Sequence, residues 1–209
     1  MRILILMTIL PYLGVIGGAC SLAGYAPYVI KIIKGEAPPE RASWLVWTLS
    51  SLLILMSYYA LGARATIWVP AAYFLGSSVI TALSFKYGRQ GWGTLERLIL
   101  VVVAISSIRW FHFDTPFVAL TLTLIIGFIG YIPVMWRVYS NPMTREELDL
   151  EGWTLFFVGS VLNLAAVPIW DLYIATLPVL MVVMNGLMFG LAMRNALIQE
   201  RQAKRAKTE

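Results

Sequence analysis

Seven uncharged stretches decide what this chain can fold into: Ile3 to Ile30, Ala42 to Ala63, Ala65 to Phe85, Leu98 to Ile108, Thr115 to Trp136, Gly152 to Trp170 and Leu172 to Met193. A helix needs about 20 apolar residues to cross the hydrocarbon core of a bilayer, and six of the seven reach or nearly reach that length. The fourth does so only by continuing through Arg109 to Phe113, with the arginine snorkelling to the surface beside Trp110. A mean hydropathy of +0.77 with only 13% charged residues agrees with an all-α membrane protein. Met1 to Leu10 resembles the start of a signal peptide, but the apolar run continues well past Cys20, so the segment reads as a retained span. Cys20 is the single cysteine, which excludes an intramolecular disulfide and a multi-cysteine metal site.

Seven transmembrane helices put the termini on opposite sides. With the N-terminus outside, the inner segments carry Lys31, Lys34, Arg41, Lys86, Arg89, Arg97, Arg137, Arg145, Arg194, Arg201, Lys204, Arg205 and Lys207, leaving only Arg2, Arg64 and Arg109 outside. The positive-inside rule therefore favours an N-out, C-in chain in the cell membrane. It also accounts for the net charge of +5 without nucleic acid as a partner.

The second organising feature is a repeat. Gly24-Tyr25-Ala26-Pro27 recurs as Gly130-Tyr131-Ile132-Pro133, each near the end of an apolar run and each followed by basic residues and a proline-containing loop. Trp44 and Trp153 then open the next runs in register. Ser51 falls opposite Ser160, Pro70 opposite Pro178, and Ser77 opposite Asn185. Two parallel three-helix units require one extra helix between them. The reading is two three-helix repeats joined by a linker helix, 3+1+3: residues 1–87, an inner loop and linker helix at 88–114, a second repeat at 115–196, and a cytoplasmic tail at 197–209. Gly14 and Gly18 in the first span form a small-xxx-small pair suited to close helix approach. Pro27 and Pro133, with Gly24 and Gly130, are expected to interrupt the first helix of each repeat and to serve as hinges.

On the repeated Gly-Tyr-x-Pro and the Ser-Trp or Gly-Trp that opens each second helix, the chain resembles the PQ-loop superfamily, which includes the SWEET sugar transporters, and most of all its seven-span bacterial members. The resemblance spans residues 11 to 87 and 118 to 193. It departs from the family pattern at Tyr28 and Val134, where the naming glutamine would stand, and in lacking prolines in the second helix of each repeat. It implies a transporter, and it places a substrate-binding asparagine on the third helix of each repeat. Asn185 matches that position and Ser77 departs from it.

The residues themselves offer little other chemistry. No Asp, Glu, Lys or Arg lies near the centre of a span, and His112 sits among the interfacial aromatics Trp110, Phe111 and Phe113, so ion-coupled pumping is disfavoured. No paired carboxylates, metal-ligand cluster or activated nucleophile is present, so neither an enzyme nor a cofactor or metal is expected. Uncharged polar residues at depth are the candidates for substrate binding. Asn185 and Asn163 should face the bundle interior, because an amide facing lipid is costly. Tyr73 and Ser77 share one face of the third span, and Met181 and Asn185 repeat that spacing on the seventh. Tyr58 and Trp170, near outer ends, are candidate aromatic platforms. Trp44, Trp47, Trp68 and Trp153 read mainly as an interfacial belt. The acidic loop Met143 to Glu151 reads as a solvated helix start, and the basic tail as a contact for anionic lipid.

These features predict a facilitative transporter of a small neutral or zwitterionic, sugar-like solute, working by alternating access. Its partners would be that solute and the lipid bilayer, with a second copy of the chain as a candidate homodimer partner. The alternatives are a proton-coupled carrier and a non-transporting receptor or accessory protein.

Overall fold

The computed structural model describes residues 2–113, 115–141 and 149–205. It is all-helical, with eight helices in the described residues: α1 Arg2–Ala23, α2 Ala26–Ile33, α3 Arg41–Ala60, α4 Trp68–Tyr87, α5 Thr94–Phe113, α6 Pro116–Ser140, α7 Leu150–Ala165 and α8 Leu172–Arg205. Among the described residues four segments are long and apolar enough to cross a membrane: Ile9–Ile33, made of α1 and α2 together, then α3, α4 and α8. Shorter apolar helical stretches lie at Arg97–Ile108, Pro116–Ile129 and Leu150–Ala165.

The first Gly-Tyr-x-Pro breaks its helix. Pro27 has no N–H to donate to a carbonyl four residues back, so α1 ends at Ala23, a turn passes through Gly24 and Tyr25, and α2 starts afresh with Pro27 in its first turn. The second copy does not interrupt its helix, because α6 runs unbroken from Pro116 to Ser140. The expected pair of matched interruptions is therefore present in one repeat only. A proline inside a helix can bend it without ending it.

Helix α1 packs against α4 on one side and α7 on the other, and glycine makes both approaches possible. A Cβ on Gly14 would lie 1.7 Å from the Ala65 carbonyl oxygen, and one on Gly18 would lie 2.8 Å from the Trp68 carbonyl oxygen. On the α7 side, a Cβ on Gly17 would lie 2.8 Å from the Gly159 carbonyl oxygen, and one on Gly152 would lie 2.9 Å from that of Gly24. In lipid such backbone contact replaces hydrophobic burial as the source of helix association. Helix α3 packs on α4 and α6, α7 packs on α8, and α5 lies against α6 and α3. Helices α6 and α8 meet only sparingly.

At one end of the bundle the loops are pinned by charge and backbone. Arg41 Nη2 donates to the Phe85 carbonyl at 3.1 Å, satisfying a helix-end acceptor of α4. The Arg41 and Arg89 amides donate to the Arg89 and Pro39 carbonyls, forming one isolated bridge between the two loops. We call this the charged end. Toward the opposite end, named here for its core the apolar end, Tyr58, Ala63, Leu120, Val167, Ile174 and Leu177 form a buried cluster.

Candidate functional site

Between the helices lies a cavity of about 610 Å3, lined from α2, α3, α4, α6, α7 and α8. Its walls run from Lys31, Glu40, Arg89 and Asp149 at the charged end to Ile54, Pro70 and Leu177 near the apolar one. The volume falls in the range that accepts one small organic molecule. Every charged lining residue belongs to the charged end.

Deep in the cavity, the Tyr73 hydroxyl donates to Asn185 Oδ1 at 3.0 Å. That bond links α4 to α8 and occupies the amide oxygen. Asn185 Nδ2 is then the group left to donate into the cavity. Ser77 also lines the cavity and bridges to α3, its hydroxyl 3.1 Å from that of Ser51. One turn along, Thr48 and Thr81 hydroxyls pair at 2.8 Å, and Thr81 donates to the Trp44 carbonyl. Met181 completes this wall beside Met184. The structure thus brings Asn185, Ser77, Tyr73 and Met181 to one cavity; the spacing along the third and seventh apolar runs predicts only that each pair shares a helix face. Gly24 lines the same space; Gly130 and Pro133 are described only as helical backbone.

Three expected site residues lie elsewhere. Asn163 is fully buried off the cavity, in the seam where α7 meets Gly17 of α1, and neither amide atom has a hydrogen-bond partner among the described residues. An amide's need for protein surroundings fixes that it is buried but not which helix it faces. Trp170 is 68% exposed, as an interfacial anchor would be, and does not line the cavity.

Tyr58 is buried in the apolar end. Its hydroxyl donates to the Ile174 carbonyl at 2.6 Å and pairs with Thr66 Oγ1 at 2.7 Å. The cause is Pro178, which lies inside α8 four residues beyond Ile174 and has no N–H to give that carbonyl. The Tyr58 hydroxyl supplies the missing donor. Tyr58→Phe should therefore leave a buried carbonyl unpaired and lower stability by about 1–3 kcal/mol, read as a reduced thermal midpoint in lipid nanodiscs. An unchanged midpoint would show that this bond does not hold the apolar end shut.

Aromatic side chains form much of the remaining wall. Trp44, Trp47 and Trp153, expected in an interfacial belt, line the cavity instead, with Tyr25, Tyr28, Tyr131 and Phe156. Tyr25 meets Phe156 edge-on with centroids 4.9 Å apart, and Tyr131 meets Trp47 edge-on at 5.3 Å. The missed signal was the recurrence itself: a tyrosine in each Gly-Tyr-x-Pro and a tryptophan opening each second helix. At the mouth, Lys31 Nζ lies 3.0 Å from Asp149 Oδ2, while Asp149 Oδ1 caps α7 by accepting from the Glu151 amide. Glu146 and Glu147 of the acidic loop, like residues 206–209 of the tail, lie outside the described residues. Among the described residues no group of three His, Cys, Asp or Glu side chains could hold a metal ion.

Set against family models, curated proteins and solved structures, the chain matches none.

Proposed function

We propose that this chain is a facilitative carrier of a small neutral or zwitterionic solute, built from seven spans as two three-helix repeats around the linker helix α5. The observation that carries the reading is the cavity of about 610 Å3 between the two halves. Its polar depth carries no charge, one end is lined by ions, and the other lies toward the Tyr58 cluster.

Helix packing supports the repeat. With α1, α3 and α4 taken as one unit and α6, α7 and α8 as the other, the main contacts have counterparts. Helix α4 touches α1 and α3 as α8 touches α6 and α7, and α1 meets α7 as α3 meets α6. Side chains repeat the pattern. In the register set by Trp44 and Trp153, Phe156 corresponds to Trp47, so the motif tyrosine of each unit packs edge-on against the same position of the other unit. This is the arrangement that the resemblance to PQ-loop and SWEET proteins implies, and it suits two halves that rock about a central site.

The three shorter apolar helices cross the membrane in this reading, with the charged end cytoplasmic and the Tyr58 end outside. The described form is then open inward and shut outward. That no Asp, Glu, His, Lys or Arg among the described residues lines the deep part supports solute movement without an ion on the pathway.

Thermal stability in nanodiscs against a panel of sugars, amino acids and small polyols tests the site. A bound solute raises the midpoint by an amount set by RT ln(1 + [L]/Kd). Asn185→Ala should weaken binding about tenfold, since it removes one solute hydrogen bond and strands the Tyr73 hydroxyl. A stabilising solute that keeps its full effect in Asn185→Ala would place the site elsewhere. No flux of any stabilising solute in liposomes would overturn the carrier reading.

A further inference from the structure

The deep part of the central cavity offers a solute many rings and few proton donors. Most hydroxyls there have a protein acceptor within reach of their single proton. Ser51 donates to the Thr48 carbonyl at 2.9 Å, Ser77 to that of Phe74 at 3.1 Å, and Thr123 to that of Ala119 at 2.8 Å. The Tyr25 hydroxyl is directed at the Tyr73 carbonyl, 3.4 Å away, and the Tyr73 hydroxyl at Asn185 Oδ1. A polyol needs donors as well as acceptors for its hydroxyls, and each bond left unmade lowers affinity about tenfold.

Rings are gathered beside the free Asn185 amide group. Tyr25, Tyr73 and Phe156, from the turn between α1 and α2, from α4 and from α7, form a triangle with centroids 4.9–6.0 Å apart. Their planes cross at 48–84°, so they cannot all stand edge-on to one ligand, and a ligand against them meets at least one π face. Trp153 extends the wall, its ring 5.5 Å from that of Phe156. Glycines seat two of the rings. A Cβ on Gly24 would lie 3.0 Å from the Phe156 ring, and one on Gly76 would run into the ring of Tyr25. The triangle is therefore in place before a solute arrives, and little side-chain freedom is lost there on binding. Because the Tyr73 hydroxyl touches Asn185, the amide lies one ring's length from the triangle.

We infer that this site binds a small zwitterion with a quaternary ammonium group, its methyl groups against Tyr25, Tyr73 and Phe156 and its carboxylate at Asn185 Nδ2. The inference rests on the carrier reading and narrows its solute class. A quaternary ammonium has no N–H, so it asks nothing of the engaged hydroxyls, and a π face attracts its positive charge most strongly where water is excluded. The compensating negative charge belongs to the solute itself, because no Asp, Glu, His, Lys or Arg among the described residues lines this depth.

The test is equilibrium binding of radiolabelled trimethylglycine to the full chain in nanodiscs, with glycine, choline and glucose as competitors. Glycine lacks the methyl groups, choline the carboxylate and glucose both, and each should compete about tenfold or more weakly than unlabelled trimethylglycine. A ring-fluorinated phenylalanine at position 156 keeps the shape of the side chain but drains its π face. It should weaken trimethylglycine binding about three- to tenfold while the thermal midpoint without solute stays put. Tyr25→Phe, which keeps the ring, should bind within about twofold of the wild type, and Tyr25→Leu should lose about tenfold. No binding of trimethylglycine, or glucose competing better than it, would overturn the inference and leave a carrier of neutral solutes standing. Binding indifferent to fluorination and to Tyr25→Leu would remove the rings from the site, and choline binding as tightly as trimethylglycine would remove the carboxylate from Asn185. Trimethylglycine that binds as expected yet does not cross liposome membranes would overturn the carrier reading alone.

Discussion

Replacing Gly127 with tryptophan should abolish both the solute-induced rise in thermal midpoint and solute flux, while leaving the unliganded protein as stable as the wild type. The position is unusual in combining two properties. It lines the central cavity, and its backbone has open space where a side chain would start. An indole there enters the cavity, not a neighbouring helix, and adds the bulk of a large ring to the wall. Losing a helix-interior glycine contributes about 0.5–1 kcal/mol in favour of the fold, offsetting any strain at the ring. Flux in proteoliposomes should fall to that of empty vesicles. If the variant is as stable as expected and still carries solute at the wild-type rate, the pathway does not run through this cavity.

Gly14→Leu should act in the opposite sense, on the fold and not on the site. A Cβ alone would lie 1.7 Å from the Ala65 carbonyl oxygen, and that atom belongs to backbone that cannot swing aside. Helix α1 must lift away from α4, and it takes with it the α7 seam that depends on Gly17 and Gly24. Overpacking of this kind costs about 1–3 kcal/mol and more where backbone must move. Here we expect about 3 kcal/mol or more, seen as loss of the monodisperse species on size-exclusion chromatography and a collapsed midpoint. A variant that purifies and melts like the wild type would show that the Gly14 seam is not what holds α1 against α4.

Several features were legible without coordinates because they depend on one helix at a time. Length and charge of the apolar runs mark α1 with α2, α3, α4 and α8 as helices fit to cross a bilayer. Residues spaced four apart share a face whatever the helix packs on, and so Tyr73 with Ser77, and Met181 with Asn185, reach the cavity together. Gly14 with Gly18 likewise announces a close approach before its partner is known.

What failed depended on which neighbour a face meets. Asn163 had to be buried, yet α7 packs on both α1 and α8, and burial by itself did not bring the side chain to the cavity. Tryptophans near span ends resemble interfacial anchors in a single sequence, but Trp44, Trp47 and Trp153 are turned inward by the helices around them while Trp170 is not. Tyr58 resembled a solute platform until the Ile174 carbonyl, freed by Pro178 and 116 residues along the chain from Tyr58, was seen to claim its hydroxyl.

The sequence by itself determined that this chain is helical, apolar enough for a membrane, internally repetitive, and furnished at depth with amides and hydroxyls instead of ions. Those are properties of periodicity and composition, set locally along each segment. Only the tertiary structure decided which polar groups face a common cavity and which aromatic rings wall it. Each of those outcomes is fixed by contact between residues far apart in the chain, where the shape of one helix surface decides how near another can come.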